Sequence, residues 1–185
     1  ALFLILPNQP KYSVMGKNGF KLSFTLLLTL VSGCVGNYVQ TPEEFREIAT
    51  NTLWNQITKE NINRSVSQIG RSFVDKSNEC LNVTIVATDN YNRNLYEIYL
   101  LSEVSVEPRS VEMVIREKYP KKSSLLMKPP ENGFVFFVID VTPISTTSSR
   151  LVMYHPKARH QSLSRAILEW ARGNTRGCPV LGIRS

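Results

Sequence analysis

The run Phe134-Val-Phe-Phe-Val-Ile-Asp-Val141 decides the fold, because it is the most strand-like stretch of the chain. Val, Ile and Phe favour an extended backbone, and the preceding Asn132-Gly133 pair is typical of a tight hairpin turn. Apolar residues fall on both faces of the run. We therefore predict a central strand with neighbours on either side and a helix over one face.

Several other stretches show the period of two that half-buried strands require. They are Val83 to Thr88, Leu95 to Val106, Val111 to Arg116 and Arg150 to His155, with a weaker one over residues 59–66. Dense turn residues and prolines separate them. These runs predict an antiparallel sheet, although the two-sided apolar content of Leu95 to Val106 leaves a helix open at its start.

Helical periodicity flanks these strands at both ends of the domain. Capping patterns at Thr41-Pro42-Glu43-Glu44 and at Ser65 to Gln68 predict two helix starts. The first helix would bury one face, comprising Phe45, Ile48, Ala49 and Leu53. The terminal helix has an apolar stripe, ended by Gly173, that comprises Leu163, Ala166, Ile167, Trp170 and Ala171.

The order of elements predicts the α+β class, with an antiparallel sheet of about five to seven strands, helices on one face and a long C-terminal helix. We assign residues 41–185 to this single domain. The order resembles the helix-grip arrangement of START-like and polyketide-cyclase-like proteins over about residues 58–173. That resemblance implies a sheet that wraps the last helix around an apolar cavity, with Trp170, Ile167 and Phe136 in its wall.

The N-terminal part reads as an export signal. Met15 begins a Lys-bearing segment, an uncharged run from Leu22 to Val31 follows, and Val31-Ser32-Gly33-Cys34 comes next. The apolar run is short for a hydrocarbon core of about 30 Å. The four residues ending at Cys34 resemble the lipobox of bacterial lipoprotein precursors. An uncleaved anchor and a buried core element are the alternatives.

The lipoprotein resemblance implies that cleavage before Cys34 makes this residue the lipidated start of the mature protein. Residues 15–33 would then be the signal peptide, and residues 34–40 a lipidated tether that joins the domain to the membrane. Val35 replaces the Asp that retains many such proteins in the inner membrane, so we expect the periplasmic face of the outer membrane. Residues 1–14 would be a non-native or over-extended N-terminus.

Charge argues against a nucleic-acid partner. Loss of Lys11, Lys17 and Lys21 with the signal reduces 22 basic residues to 19, against 15 acidic ones. The basic residues alternate with acidic ones and form no stripe with interleaved aromatics, which a nucleic-acid-binding surface requires. We therefore predict no binding to nucleic acid.

Cys80 and Cys178 remain once Cys34 carries lipid. In an oxidising compartment two such cysteines favour a disulfide, and the alternative is a pair of separate buried thiols. His155 and His160 have no Cys, Asp or Glu near them at metal-ligand spacing, so we predict no metal and no cofactor.

The sequence contains no phosphate-binding loop and no nucleophile elbow. We therefore predict a non-catalytic envelope lipoprotein that binds an apolar small molecule, a lipid or an envelope protein. The alternative is a hydrolase or lyase, for which Asp140, His155 and His160 would have to converge. Asp140 is the candidate for a perturbed pKa because it lies inside an apolar strand.

Overall fold

The structure is a computed structural model that describes residues 39–88, 95–120, 130–158 and 160–181. They belong to one compact unit, Tyr38–Ser185. The helices are α1 (Pro42–Asn51), α2 (Val66–Lys76), which a π-helical turn (Ser77–Leu81) continues, and α3 (Gln161–Arg172). The strands are β1 (Asn55–Ile62), β2 (Val83–Thr88), β3 (Leu95–Glu107), β4 (Ser110–Lys118), β5 (Phe134–Pro143) and β6 (Ser149–Pro156).

Six strands form one antiparallel sheet in the order β1-β6-β5-β4-β3-β2. The chain starts at one edge with β1, crosses through α2 to the other edge, and returns strand by strand until β6 pairs with β1. β5 lies inside the sheet between β4 and β6. The α+β class, the number of strands, the central strand and the C-terminal helix are all confirmed.

The helix ends follow from local chemistry. The side chain of Thr41 accepts a hydrogen bond from the Glu44 amide while the Glu44 carboxylate accepts one from the Thr41 amide. Ser65 and Gln68 form the same reciprocal pair at the start of α2. Gly173 ends α3 with a left-handed φ of 98°, a conformation that glycine adopts without steric cost.

The larger core cluster lies between one face of the sheet and helices α2 and α3. Phe73 of α2 and Ile167 and Trp170 of α3 contribute its largest helical side chains. The strands contribute alternate residues, including Met113, Ile115, Phe137, Ile139, Leu151 and Met153. Helices α2 and α3 therefore cover this face of the sheet.

The prediction that all helices lie on one face of the sheet is wrong for α1. Its Phe45 and Ala49 pack in a second cluster with Val114 and Val138. Val114 lies between Met113 and Ile115 of the larger cluster, and successive side chains of a strand point to opposite faces. α1 therefore covers the other face, and the sheet lies between two helical layers.

The first helix ends at Asn51, within the predicted range of residues 51–55, but it does not include Leu53. Leu53 was expected on the buried face, but α1 stops at Asn51 and the chain turns at Leu53 and Trp54 into β1. Ile48 is also partly exposed, so only Phe45 and Ala49 of the predicted face are buried. Because α1 ends at Asn51, Leu53 and Trp54 lie exposed at the surface.

A bulge between β4 and β5 places two aromatic rings side by side. Ile115 pairs with Phe137 and Arg116 with Val135, so Phe136 is the extra residue. Phe136 and Phe137 both join the larger cluster, and their ring centroids are 5.0 Å apart in an edge-to-face contact. The bulge thus directs Phe136 towards α3.

Candidate functional site

Asp140 lies on the α1 face of β5 and binds an arginine of that helix. Arg46 Nε donates to one Asp140 oxygen at 3.0 Å and Nη2 to the other at 2.7 Å. Arg46 also contacts Glu112 of β4 and Glu43 of its own helix. The hydrogen bond to Asp140 raises the pKa of Arg46 above its ordinary value. This network fastens α1 to the sheet and accounts for a carboxylate inside an apolar strand.

His155 lies on the opposite face, buried among side chains of the larger cluster. Its Nδ1 is 3.0 Å from the Pro156 carbonyl, and its Nε2 is 2.9 Å from the Thr58 hydroxyl. A carbonyl can only accept, so Nδ1 carries the proton and Nε2 accepts from Thr58. Burial lowers the pKa of His155, and the Pro156 carbonyl only partly opposes that effect.

His160 lies near His155, just before α3, in a left-handed conformation with φ 61°. Its ring contacts Phe136 and Phe137, with centroid distances of 5.1 and 6.5 Å. Its Nε2 is 3.0 Å from Glu117 Oε1, and Glu117 Oε2 accepts a hydrogen bond from the Tyr119 hydroxyl at 3.1 Å. The structure thus brings both histidines to one end of the larger core.

Sequence reasoning missed Glu117 as the carboxylate beside these histidines. The signal was present: Val111, Met113 and Ile115 define the core side of β4, and Glu117 continues their period of two. The Glu117 side chain is only 2% exposed. A charged residue that continues the alternating buried positions of a strand should therefore be considered as a buried polar group.

The three residues that the hydrolase or lyase alternative requires do not converge. Phe137, which stacks on His155 at 5.6 Å, and Asp140 are three positions apart in β5 and so face opposite sides of the sheet. The Ser164 hydroxyl is 3.3 Å from His155 Nδ1, but that nitrogen already carries a proton directed at Pro156. His155 is therefore not poised to deprotonate Ser164.

The residues expected to line an apolar cavity are deeply buried. Trp170 is 1% exposed, Ile167 is fully buried and Phe136 is 7% exposed, all within the larger cluster. Two surface grooves with volumes of about 410 and 360 Å³ are lined by other, largely polar residues. The cavity-wall role of Trp170, Ile167 and Phe136 stays a prediction, since their burial is equally that of packed core.

Cys80 and Cys178 form the disulfide that the sequence favours, with Cα atoms 5.3 Å apart. The bond joins the π-helical turn after α2 to the tail beyond α3. A Glu79 oxygen lies near both sulfurs, but bonded sulfurs are not thiolate ligands, so this group holds no metal in that state. Cys34 lies outside the described residues.

Leu53 and Trp54 form the most exposed pair of neighbouring large apolar residues in the described ranges, at 92% and 85%. The turn that carries them is held on both sides. The Lys157 amide donates to the Trp54 carbonyl at 2.9 Å, and the Asn55 side chain donates to the Thr52 hydroxyl at 3.0 Å. These bonds fix the backbone and leave the two side chains in solvent.

None of the described helices is long and apolar enough to cross a membrane.

Comparison with known proteins gives structural neighbours whose names state no function. No protein-family model matches the chain, and no curated protein matches it. A hypothetical protein of Helicobacter pylori is similar with a TM-score of 0.40 and 10% identity, covering 77% of this chain and 99% of that one. A protein of Chromobacterium violaceum has a TM-score of 0.34 and 9% identity, with 67% and 95% covered. A conserved protein of Geobacillus kaustophilus has a TM-score of 0.31 and 13% identity, with 65% and 89% covered.

Proposed function

We propose that this chain is a non-catalytic lipoprotein of the cell envelope that binds a protein partner through the Leu53-Trp54 turn. Cys34 would carry the lipid, and the domain would lie on the periplasmic face of the outer membrane. The anchor is supported by the apolar run that ends in Val31-Ser32-Gly33-Cys34. The partner is supported by the exposure of Leu53 and Trp54 on a hydrogen-bonded turn.

A large aromatic side chain in water is typical of a binding hot spot. Tryptophan is enriched among the residues that dominate protein interfaces, because it buries a large area and loses few rotamers. Leu53 adds a second apolar group beside it, and the turn is already ordered. A partner that covers both side chains would therefore gain apolar burial without the cost of ordering this backbone.

The polar rim of the turn favours a protein over a membrane surface. Residues 50–58 flank Leu53 and Trp54 with Thr, Asn and Gln and no charged side chain, and Lys157, whose amide binds the Trp54 carbonyl, is a single adjoining cation and not a basic cluster. A segment that binds anionic lipid headgroups gains from flanking Lys or Arg, whereas neutral hydrogen-bonding groups around an aromatic centre are typical of a protein interface. We prefer this surface to an apolar-ligand site at Trp170, because Trp54 is 85% exposed and Trp170 is 1% exposed.

Photo-crosslinking in the intact envelope tests the proposal. Trp54 would be replaced by a photoreactive phenylalanine analogue, and Val180, which is 78% exposed, by the same analogue as the control. We expect a discrete protein adduct in the membrane fraction from position 54 and none from position 180. Leu53→Ser should weaken that adduct because it removes the second apolar group.

Two outcomes would overturn the partner proposal: identical adducts from both positions, or adducts with lipid alone from position 54. The anchor is tested separately with Cys34→Ser. This variant should incorporate no labelled fatty acid and remain at precursor length. A processed, membrane-bound Cys34→Ser protein would contradict the lipid assignment and leave the result for Trp54 unaffected.

A further inference from the structure

β2 is an edge strand without the usual protection against pairing with another chain. It pairs along its whole length with β3 and has no second neighbour among the strands of the described residues. Its six residues, Val83-Thr-Ile-Val-Ala-Thr88, include neither a charge nor a proline, and their pairing with β3 shows no shift in register. Natural sheets usually shield such an edge with Lys, Pro, a bulge or a covering element.

The opposite edge of the same sheet carries that protection. β1 includes Lys59 and Glu60, and α1 packs against it. The contrast matters because both edges belong to one sheet and differ mainly in charge and cover. Because β1 carries charged residues and β2 carries none, β2 is the edge at which the sheet can pair with a strand of another chain.

The side chains of β2 divide cleanly between the two faces. Val83 and Ile85 pack against the larger core cluster, whereas Thr84 and Val86 point to the α1 side of the sheet. Val86 is 61% exposed there. An added strand would therefore continue a face that already carries an uncovered valine at its rim.

We propose that β2 pairs with β2 of a second copy of this chain, antiparallel and around a twofold axis at Val86. In this register Val86 lies opposite Val86 of the second copy, and Thr84 lies opposite Thr88. A twofold axis perpendicular to the sheet leaves each face of one copy continuous with the same face of the other copy. Even-numbered residues of β2 therefore lie opposite even-numbered residues of the second β2. Two six-stranded sheets would join into one of twelve strands.

Charge favours a second copy as the occupant of this edge. A charged edge strand would place like charges opposite each other in a twofold pair, which is destabilising, and β2 carries no charge. The charged residue that faces Val86 across the sheet is Glu97 of β3. In the proposed dimer the Glu97 residues of the two copies would lie three strand spacings apart, about 14 Å. This distance exceeds the electrostatic screening length of about 8 Å at physiological salt, so their repulsion would be weak.

Variants that each carry one added cysteine test the register of the proposed pairing. In the proposed pair the two Val86 Cα atoms lie within the roughly 4.4–6.8 Å that a disulfide spans. Thr84→Cys is the matched control, because the two Thr84 positions would be four residues out of register, about 13 Å apart. Under mild oxidation we expect Val86→Cys to form a covalent dimer, while Thr84→Cys and the wild type form none beyond background.

Sedimentation of the purified full chain tests the interaction without a crosslink. We expect a species of twice the mass of one processed chain, and Val86→Lys should weaken dimerisation at least tenfold, because it places two cations opposite each other. Val180→Lys adds the same charge at an exposed site outside the sheet and should leave the dimer intact.

Three results with the isolated chain would overturn the proposal. The first is a wild-type chain that stays monomeric at about 100 μM, a concentration far above the micromolar dissociation constants of ordinary weak complexes. The second is a dimer that Val86→Lys leaves unchanged. The third is equal crosslinking of Val86→Cys and Thr84→Cys. A Val86→Cys adduct with a different protein would also contradict pairing between copies. Far-ultraviolet circular dichroism of each variant would verify that it is folded.

Discussion

His155 is held neutral by its surroundings, and this gives the protein a distinct dependence on pH. Burial lowers its pKa from the ordinary value of 6.5, so the folded chain binds this proton less readily than the unfolded chain. Between the lowered pKa and 6.5, the unfolded state therefore holds more protons. Stability from this residue is fully present above 6.5 and is lost as the pH falls below it.

We expect the free energy of unfolding to rise between pH 5 and pH 7, with a contribution from His155 of at most about 1.4 kcal/mol per pH unit. His155→Gln should reduce that slope because it removes the titrating ring. Lys157→Gln is the control, since it removes an exposed cation two residues away and keeps the His155 ring. Urea unfolding at several pH values measures the slopes, and equal slopes for wild type and His155→Gln would contradict the expectation.

Helix α3 depends on its buried stripe and on a cation at its C-terminal end. Arg64 Nη1 donates to the carbonyls of Trp170 and Ala171 at 3.1 and 3.0 Å, and to the Ser72 hydroxyl of α2 at 3.2 Å. The Trp170 carbonyl also accepts from the Gly173 amide at 3.1 Å, and the last carbonyls of an α-helix generally need such partners from outside the regular helical pattern. Arg64 therefore joins the C-terminal end of α3 to α2, which packs on the same face of the sheet.

The two tryptophans offer a matched comparison of burial. Trp170→Ala should lower the free energy of unfolding by about 3 to 5 kcal/mol if the ring is packed core, because it deletes a large side chain that is 1% exposed. Trp54→Ala removes the same side chain where it is 85% exposed and should change stability by less than about 0.5 kcal/mol. Denaturant unfolding followed by circular dichroism measures both changes.

A small loss for Trp170→Ala, close to that for Trp54→Ala, would contradict close packing around the terminal helix. Such a result would favour the cavity-wall role that the helix-grip resemblance implies. An apolar ligand should then shift the fluorescence of Trp170 once Trp54 has been changed to Phe.

The disulfide acts on the whole domain because it joins residues that are 98 positions apart. In the chain-entropy model, a loop of that length stabilises the folded state by about 4 to 5 kcal/mol through restriction of the unfolded chain. Cys80→Ala should therefore lower the midpoint of thermal unfolding and leave Cys178 open to alkylation. Wild-type protein should react at neither residue without reductant, and alkylation of both would contradict the bond in the isolated protein.

The sequence by itself determined the local elements of this domain. The capping pairs at Thr41 and Ser65, the strand at Phe134–Pro143 and the stop at Gly173 all lie where their residue patterns indicate. Each depends on hydrogen bonds and side-chain periods within a few residues, so neighbours in the chain contain the information.

Only the tertiary structure decided which surfaces these elements cover. Asp140 meets Arg46, 94 positions away, and Glu117 meets His160, because the order of the strands brings distant segments together. The exposure of Leu53 and Trp54 and the bare edge at β2 also depend on which helix packs on which face. Hydrophobic burial is non-directional, so an apolar pattern shows that a residue can be buried but not what will cover it.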